Sequence, residues 1–453
     1  MRLRLVAVMA LAVWSSGAGA QAGVPSKPGF GLLGWQAVQP GNAPAGPLTI
    51  TLQDALALAK ANDPVFHAAV TEAAIAHQDK VIARAGLLPK INYTTQYLYT
   101  QGNGTPTGVY VANNAVHEYL AQSNGHEDIS LAGGLVADYR RAGALEAVAQ
   151  AKQEIAARGL VVTVVQSFYG LIVAQRGYAN AQSAAAEAQH FLDISQKLER
   201  GGEVAHADVI KAQLQANEAN RALAETQLAM EKARLSLAVL LFPNFTENFS
   251  VVDDLQLAPP LPAVEEAQRL ASANNAEVRA ALAAVRVARH EVQSAWADHF
   301  PTLGLDVWYG IDATRFATYT DGVHNLGYSA AATLNVPIFN WGATHAKVKQ
   351  AQLRRTQSEL VLSEAQRGAI ADLRTFYGEA QTARSELDSL RQSAELAAES
   401  LRLTDLRYQA GEATALEVVD AQNTLVQARN AYDNGEARYR TAIATLQTVT
   451  GPF

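Results

Sequence analysis

The chain has 453 residues, a formal net charge of -7 and no cysteine. The lack of cysteine excludes disulfides, thiolate chemistry and lipid attachment to an N-terminal cysteine. The mild acidity argues against nucleic acid as a partner, because phosphate backbones are bound by basic surfaces. Alanine dominates the apolar residues and aromatics make up only 7%, a balance typical of long, closely packed helices.

The first 22 residues have the pattern of a secretory signal peptide. A basic start precedes an apolar run from Leu5 to Trp14, and small residues follow up to Ala22. We therefore expect residues 1–22 to be a signal peptide. A transmembrane helix is the alternative, but the run is shorter than a bilayer-spanning helix needs, and no later stretch is expected to span as a helix. Residues 23–48 are rich in proline and glycine and predict an extended leader.

The stretch 49–250 switches between helical and strand periodicity, and we interpret it as a first structural repeat. Apolar spacing predicts helices on both sides of Asn62-Asp63-Pro64, as far as Pro89, which cannot continue a helix. Larger side chains then alternate with smaller or polar ones over residues 90–100 and again over 128–138. This alternation predicts two strands joined by a polar loop.

A long proline-free stretch with helical periodicity follows, from Tyr139 to about Phe242. It is interrupted only at Gly201-Gly202, and glycine at such a place is the usual left-handed end of a helix. We therefore predict a helical hairpin with its tip at 200–207. The helix before the tip has roughly sixty residues and would be about 90 Å long.

The same series recurs in residues 263–453, after a proline-rich linker at 251–262. Alternation predicts strands at 302–311 and 326–338, and a second helical hairpin has its tip at 408–416. Independent landmarks recur at a spacing of about 210 residues, which indicates a tandem duplication. The clearest landmark is Phe376-Tyr377-Gly378, which repeats Phe168-Tyr169-Gly170 letter for letter.

The four predicted strands are each long enough to cross a bilayer as a tilted β-strand. An ordinary half-buried sheet that packs on the helices is the alternative. A membrane accepts strands only in a closed barrel, because every backbone donor and acceptor must be paired. Four strands cannot close, since the smallest barrels need about eight. Several identical chains must then share one barrel, and three copies would supply twelve strands.

The predicted fold class is therefore mainly α with a small β part. Tandem-duplicated long α-helical hairpins form a coiled-coil tunnel, and four transmembrane β-strands per chain contribute to a barrel that several copies share. The same rotational symmetry that closes the barrel also bundles the long helices into a tube in line with it.

The late tip carries the most specific motif of the chain: Tyr408, Gly411, Glu417, Asp420 and Ala421. With the duplicated body and the prolines before the strands, it resembles the TolC-like outer-membrane efflux family. The resemblance covers nearly everything after about residue 48. It implies a homotrimer with a shared trimeric twelve-stranded barrel in the outer membrane of a Gram-negative bacterium, with helices that extend into the periplasm. It also implies contact with outer-membrane lipid, a periplasmic adaptor that meets the tips, and an inner-membrane pump.

The resemblance also suggests functional residues. In the family, two acidic rings often narrow the tunnel, and Glu417 and Asp420 match their positions. They lie three residues apart, hence on one helical face, and around a threefold axis they would concentrate cations. Ala413 stands where the family often has a basic residue, and Lys211, opposite Asp420 in the repeat alignment, offers another partner. The candidates for closed-state contacts and adaptor docking are Tyr408, Gly411, Gly202, Asp208 and Lys211.

No enzyme is expected, because the sequence has no phosphate-binding loop, no zinc-ligand pair on a helix and no nucleophile elbow. His117, His126 and Asp128 could bind a metal, but we interpret them as an exposed loop and predict neither metal nor cofactor. The main alternative to an export duct is a secreted coiled-coil scaffold or adhesin with a small soluble sheet. A periplasmic enzyme is a third interpretation, disfavoured by the missing site.

Overall fold

The computed structural model describes residues 48–102, 104, 115–244, 247–257, 259–320 and 322–452. The predicted signal peptide and all of the predicted leader except Leu48 lie outside these residues. The described chain is mostly helical. Its helices are α1 (Leu52–Asn62), α2 (Pro64–Ala85), α3 (Gly134–Gly201), α4 (His206–Leu241), α5 (Val264–Asn274), α6 (Ala276–Ala297), α7 (Ala343–Gln409) and α8 (Ala415–Thr450).

The strands of the described chain form one four-stranded sheet and two small pairs. Residues Leu48–Ile50 and Phe249–Val251 make a parallel pair, and a short hairpin lies in the loop after residue 313. The strands are β1 (Leu48–Ile50), β2 (Lys90–Tyr99), β3 (His117–Ser130), β4 (Phe249–Val251), β5 (Thr302–Ala313), β6 (Tyr319–Thr320), β7 (Val323–His324) and β8 (Leu326–Asn335).

Two short helix junctions have the same capping chemistry. Asp63 ends α1 and begins α2, and its carboxylate accepts from the backbone N–H of Phe66 at 2.6 Å. Asn275 ends α5 and begins α6, and its side chain accepts from the N–H of Val278 at 2.9 Å. One polar side chain satisfies an otherwise unpaired donor at each kink. The predicted break at Asn62-Asp63-Pro64 is therefore confirmed.

The two long hairpins dominate the molecule. Helix α3 has 68 residues and α7 has 67, about 100 Å each at 1.5 Å per residue. Each turns back into a partner of 36 residues, α4 or α8. The largest buried side chains of α3 are Phe168, Tyr169, Leu171 and Ile172, which belong to one core with residues of α1, α4 and β1.

Helix α3 also corrects one expectation. We expected no segment after the signal peptide to be apolar enough to cross a membrane as a helix. By length and composition alone, α3 contains such a segment. Since α3 carries the largest buried side chains of the main core, its apolar character is explained by packing against neighbouring helices.

The four-stranded sheet has the order β2-β3-β5-β8 and is antiparallel throughout. Its register gathers most of the large apolar side chains on one face, because directly opposed residues share a face. Tyr309 of β5 opposes both Ser123 of β3 and Tyr328 of β8. The other face is polar and pairs His126 with Asp306. The predicted alternation in β2, β5 and β8 is confirmed.

The apolar face of the sheet is exposed. Ile91, Tyr93 and Tyr328 are 80%, 68% and 83% exposed. Among the described residues, the sheet packs strand against strand, and its main helical neighbour is α3, which follows β3 in the chain. The expectation of an ordinary half-buried sheet covered by helices is therefore wrong for this chain taken singly.

The second predicted strand is wrong in position. Residues 128–138 were predicted as a strand and 102–127 as a polar loop, whereas β3 spans His117–Ser130 and α3 begins at Gly134. Beyond Ser130 the apparent alternation came from small residues before and inside α3. Such residues fit the period of a helix as well as that of a strand. The true strand was missed because its apolar face is built from small residues such as Ala121, Ser123 and Gly125.

The last strand is shorter than predicted, and the second long helix starts later. Residues 326–338 were predicted, but β8 ends at Asn335, just before Pro337, which has no N–H to donate. Helix α7 was expected from Phe339 and begins at Ala343 instead. Trp341 and Gly342 adopt positive φ angles of 56° and 81°, and helical geometry starts only after them.

Candidate functional site

The late tip joins α7 to α8 through a left-handed glycine. Gly411 has φ 74°, its N–H donates to the carbonyl of Tyr408 at 3.0 Å, and the N–H of Glu412 donates to the carbonyl of Arg407 at 2.8 Å. These bonds satisfy carbonyls that the end of α7 would otherwise leave unpaired. The position of the late tip agrees with the prediction.

Glu417 closes a capping box at the start of α8. Its backbone N–H donates to Thr414 Oγ1 at 3.3 Å, and its carboxylate accepts from the Thr414 backbone N–H at 3.1 Å. The N–H and hydroxyl of Thr414 hold the pKa of Glu417 below its usual value, with a smaller contribution from Arg407. The carboxylate is therefore an ionised group tied to the tip backbone.

Arg407 is a residue of the tip that sequence reasoning missed. Its guanidinium lies 3.4 Å from the Glu417 carboxylate and donates to the carbonyl of Glu412 at 3.1 Å. It stands before Gly411, whereas the basic residue expected from the family resemblance follows the glycine, at Ala413. The signal was available, because a basic residue in the last turn of a helix faces the negative end of its dipole.

Asp420 and Lys211 are both exposed near the tips. Asp420 lies three residues after Glu417 on α8, so both carboxylates are on one side of that helix. Among the described residues of a single chain, no ion pair joins Lys211 to Asp420. The internal partnership suggested by the repeat alignment is therefore not formed in the isolated chain.

The early tip has the same backbone turn with different side chains. Gly202 has φ 75°, and its N–H and that of Glu203 donate to the carbonyls of Glu199 and Leu198, both at 2.9 Å. Helix α4 starts after Ala205, which has no side-chain cap. Asp208 lies in the first turn of α4, as predicted, and its own N–H donates to the carbonyl of Ala205.

The side chain of Tyr408 joins the two hairpins behind the late tip. It is 3% exposed and belongs to an apolar cluster that includes residues of α3, α4 and α8. Ser195 Oγ donates to the Phe191 carbonyl at 2.9 Å, so the Tyr408 hydroxyl donates to Ser195 Oγ at 3.0 Å. Burial is the main reason that the pKa of Tyr408 is raised.

A second polar contact bridges the hairpins on the other side of this cluster. Gln215 Nε2 on α4 donates to Asn423 Oδ1 on α8 at 3.1 Å. Together with Tyr408 of α7 it holds the second hairpin against the first. Of the residues predicted from sequence, the structure brings Tyr408, Gly411 and Glu417 together at one tip and places Gly202 and Asp208 at the other.

The candidate metal ligands of the sheet are not gathered as expected. His126 contacts Asp306 at 2.8 Å and Asp128 at 3.1 Å, whereas His117 accepts from or donates to Tyr97 at 2.9 Å. His117, His126 and Asp128 were expected in one exposed loop, but all three lie on β3. Within the described residues, no group of three or more ligating side chains is arranged to hold a metal ion.

Comparison with known proteins gives the class of the chain. The model of the family described as outer membrane efflux protein matches residues 55–241 and 268–452, which include both hairpins and both tips. The chain belongs to this family. The predicted resemblance, the outer-membrane location and the role in efflux are confirmed by this membership.

The chain is similar to two curated relatives and to solved channel structures. It is 24% identical over 413 residues to the alkaline protease secretion protein AprF of Pseudomonas aeruginosa, covering 88% of this chain and 84% of AprF. It is 25% identical over 379 residues to the outer membrane protein TolC of Escherichia coli, covering 79% and 73%. The Campylobacter jejuni CmeC outer membrane channel superposes with a TM-score of 0.76 at 17% identity, covering 88% and 85%, and shares its fold.

Proposed function

We propose that three copies of this chain close a twelve-stranded barrel in the outer membrane and form the exit duct of a tripartite efflux or type I secretion system. The proposal rests on the two edges of the four-stranded sheet. Strands β2 and β8 are its edges, and each has one side without a strand partner among the described residues. In a bilayer such edges must be paired, so neighbouring copies of the sheet complete them.

The apolar face supports the same proposal. Its exposed tyrosine, leucine and isoleucine side chains suit a lipid environment, while the polar face with His126 and Asp306 suits a water-filled lumen. A secreted scaffold with a soluble sheet would instead cover its apolar face with helices. The lipid that covers this face is that of the outer membrane.

A pair of neighbouring residues tests this orientation. Tyr328 and Ser329 follow one another on β8 and therefore point to opposite faces. We expect Tyr328→Lys to weaken assembly of an SDS-resistant oligomer, because the cost of lysine at the lipid face is about 2–4 kcal/mol at the membrane centre and about 0–1 kcal/mol near the membrane surfaces. Ser329→Lys adds the same charge on the lumen side and should still assemble. Equal behaviour of the two variants would reject the proposed orientation.

The helical hairpins form the periplasmic tunnel in this proposal, and the tips are its inner opening. Repeated by threefold symmetry, Glu417 and Asp420 make two rings of carboxylates at a narrow point. Like charges there attract cations and repel anions. The capping box supports this role for Glu417, because it keeps the carboxylate ionised and fixed to the backbone.

Ion selectivity in planar bilayers tests the rings. We expect Glu417→Ala/Asp420→Ala to lose cation preference and block by divalent ions. The control is Glu203→Ala/Glu412→Ala, which removes two exposed carboxylates from the tip turns themselves. Unchanged selectivity and unchanged block in the first variant would reject the gate.

The tips also carry the contacts proposed for a periplasmic adaptor, which couples the duct to an inner-membrane pump. Gly202 and Gly411 shape the two turns, and Asp208 and Lys211 lie beside the early one. Tyr408 and the Gln215–Asn423 pair hold the hairpins together at rest. Opening the duct then requires these inter-hairpin contacts to separate, driven by adaptor binding.

Because the chain has no cysteine, the resting contact can be locked in a clean background. We expect Gln215→Cys/Asn423→Cys, joined by a short thiol cross-linker, to keep the duct closed and block export in cells. Reversal of the cross-link should restore export. Continued export by the cross-linked chain would show that these helices do not move apart when the duct opens.

A further inference from the structure

A small cavity lies between the two hairpins, directly behind the late tip. Its volume is about 70 Å³, and it is lined by residues of α3, α7 and α8. Such a volume holds about two water molecules at the density of the liquid. The lining residues that carry charge or can titrate are Glu187 and His190 of α3 and Asp405 and Tyr408 of α7.

Two carboxylates meet this cavity from opposite hairpins. Glu187 and Asp405 are both partly buried, and among the described residues neither carboxylate has a hydrogen bond or an ion pair. Other carboxylates near the tips are paired, such as Glu199, Glu399 and Glu417. Glu203 and Asp420 have no partner in the described part of the chain, but they are exposed. A half-buried carboxylate without a donor is costly in its charged form.

A third group of the cavity lacks a donor. Gln422 of α8 is 5% exposed, and its side-chain oxygen is buried without a hydrogen-bond partner among the described residues. Buried acceptors are nearly always satisfied in native proteins. The cavity therefore holds three acceptor groups and no donor aimed at them. A proton on one of the carboxyls, or a water bound beside it, supplies the missing donor.

The charged surroundings do not neutralise the pair. Burial is the largest cause of a raised pKa for both Glu187 and Asp405, and the charge of Asp405 raises the pKa of Glu187 further. Arg429 of α8 and His190 of α3 oppose these shifts at a distance. From α4, Asp208 adds a negative charge near Tyr408.

We infer that Glu187 and Asp405 form a proton-binding site between the hairpins, and that its occupancy controls how firmly the late hairpin packs against α3. This rests on the proposed function, in which the hairpins separate to open the duct. With a proton bound, the carboxyl O–H donates to the other carboxylate or to Gln422. Without it, two like charges face each other in a closed space and favour separation.

The direction of the pH effect follows from linkage. Both carboxyls have pKa values raised in the packed arrangement, and separation would return them to ordinary values of about 4. The packed arrangement is therefore most stable below those ordinary values, and it loses stability as pH rises through the raised values. The duct rests more firmly closed in acid and opens more readily towards neutral pH.

The test combines bilayer conductance with hydrogen exchange of the assembled channel between about pH 4 and about pH 8, a range that spans ordinary and raised carboxyl values. In the wild type we expect faster opening, and faster exchange in residues 187–195 and 401–409, as pH rises, after correction for intrinsic exchange. Glu187→Gln/Asp405→Asn mimics the protonated site and should lose both pH dependences while staying closed. SDS resistance of the oligomer checks that the variant assembles.

The matched control is Asp193→Asn/Glu395→Gln, which removes two exposed carboxylates from the same two helices and should keep the wild-type pH profile. If Glu187→Gln/Asp405→Asn keeps that profile as well, the proton site is rejected while the duct stands. If the wild type conducts at no pH, the duct itself is rejected. The exchange measurement still reports on the proton site in that case.

Discussion

At the early tip the N-cap residue of α4, Ala205, makes no side-chain cap, whereas at the late tip the N-cap residue of α8, Thr414, forms a complete capping box. The backbone turns are alike, since Gly202 and Gly411 have φ angles of 75° and 74° and matching hydrogen bonds. A permanently charged residue, Arg407, braces the late tip. The early tip has a histidine–carboxylate contact of 2.6 Å instead.

The two tips therefore share one backbone turn, while their side chains make different contacts. The late tip is held by bonds that fix a carboxylate of the proposed gate. The early tip has only a surface contact whose ionic character depends on the charge of the histidine. We therefore expect the late tip to be the more ordered of the two, and the predictions below test that difference.

The largest effect is expected at Tyr408, which has no aromatic counterpart at the early tip, where Glu199 occupies the matching position. Tyr408→Ala removes a buried ring and should cost about 3–5 kcal/mol of packing between the hairpins. Tyr408→Phe removes only the hydroxyl bond to Ser195 and should cost about 1 kcal/mol. Resting conductance should rise strongly in the first variant and slightly in the second. Equal conductance would contradict a packing role for the ring.

The shared turn predicts equal losses at the two glycines. Gly202→Ala and Gly411→Ala each force a side chain into a left-handed conformation, at about 1–2 kcal/mol. Gly201→Ala is the control, because Gly201 is helical and alanine there is favourable. Hydrogen exchange at each tip measures the losses. A loss confined to one of the two left-handed glycines would break the similarity of the turns.

Swapping the N-cap residues of α4 and α8 should reverse which of the two tips is more ordered. Thr414→Ala removes the cap of α8 and should weaken the late tip by about 1 kcal/mol. Ala205→Ser introduces a cap at the start of α4 and should strengthen the early tip by a similar amount. Exchange rates of the first turns of α4 and α8 report both changes. If Ala205→Ser leaves α4 unchanged, the missing cap is not what makes the early tip weaker.

The smallest effect is the acid response of the capping box. The pKa of Glu417 is lowered in the folded tip by its bonds to Thr414. Its stabilising effect is therefore present above the ordinary carboxyl pKa and is lost as pH falls through the lowered value. Exchange in the first turn of α8 should accelerate in strong acid relative to the first turn of α4. The variant Glu417→Gln should lose this response.

Much of the helical part could be predicted from sequence, because long apolar periodicity, glycine stops and polar caps are local signals. The break at Asn62-Asp63-Pro64 and both tips were found in this way. Strand β3 was missed because several residues on its apolar face are small, and hydrophobic alternation cannot be seen where alanine, serine and glycine occupy that face. Its register was fixed only by pairing with β2 and β5.

The candidate functional site could be predicted only in part, because packing between the hairpins brings some of its residues together. Glu417 and Tyr408 lie in a motif of the late tip, so sequence reasoning found them. Glu187 and Asp405 are more than two hundred residues apart in the chain and line one cavity only when the second hairpin packs against α3. Nothing local marks either residue as different from the many exposed carboxylates on the same helices.

If neighbouring copies complete the sheet, the internal repeat predicts which residues oppose each other between two copies. Tyr309 pairs with Ser123 inside the chain. Tyr97 is the repeat counterpart of Tyr309, since each follows the proline before its strand at the same distance. Ala332 opposes Leu305, and Ser123 opposes Tyr93. Because Leu305 and Tyr93 are themselves repeat counterparts, Ala332 is the repeat counterpart of Ser123. Tyr97 of one copy should therefore oppose Ala332 of the next.

The most direct measurement is oxidative cross-linking of the Tyr97→Cys/Ala332→Cys variant in membranes. We expect a ladder of cross-linked species that ends at three chains and returns to single chains on reduction. Gln96→Cys/Ala332→Cys, with the two thiols on opposite faces, should cross-link poorly. Cross-links only within single chains, or a ladder that continues past three, would contradict a closed barrel built from three copies.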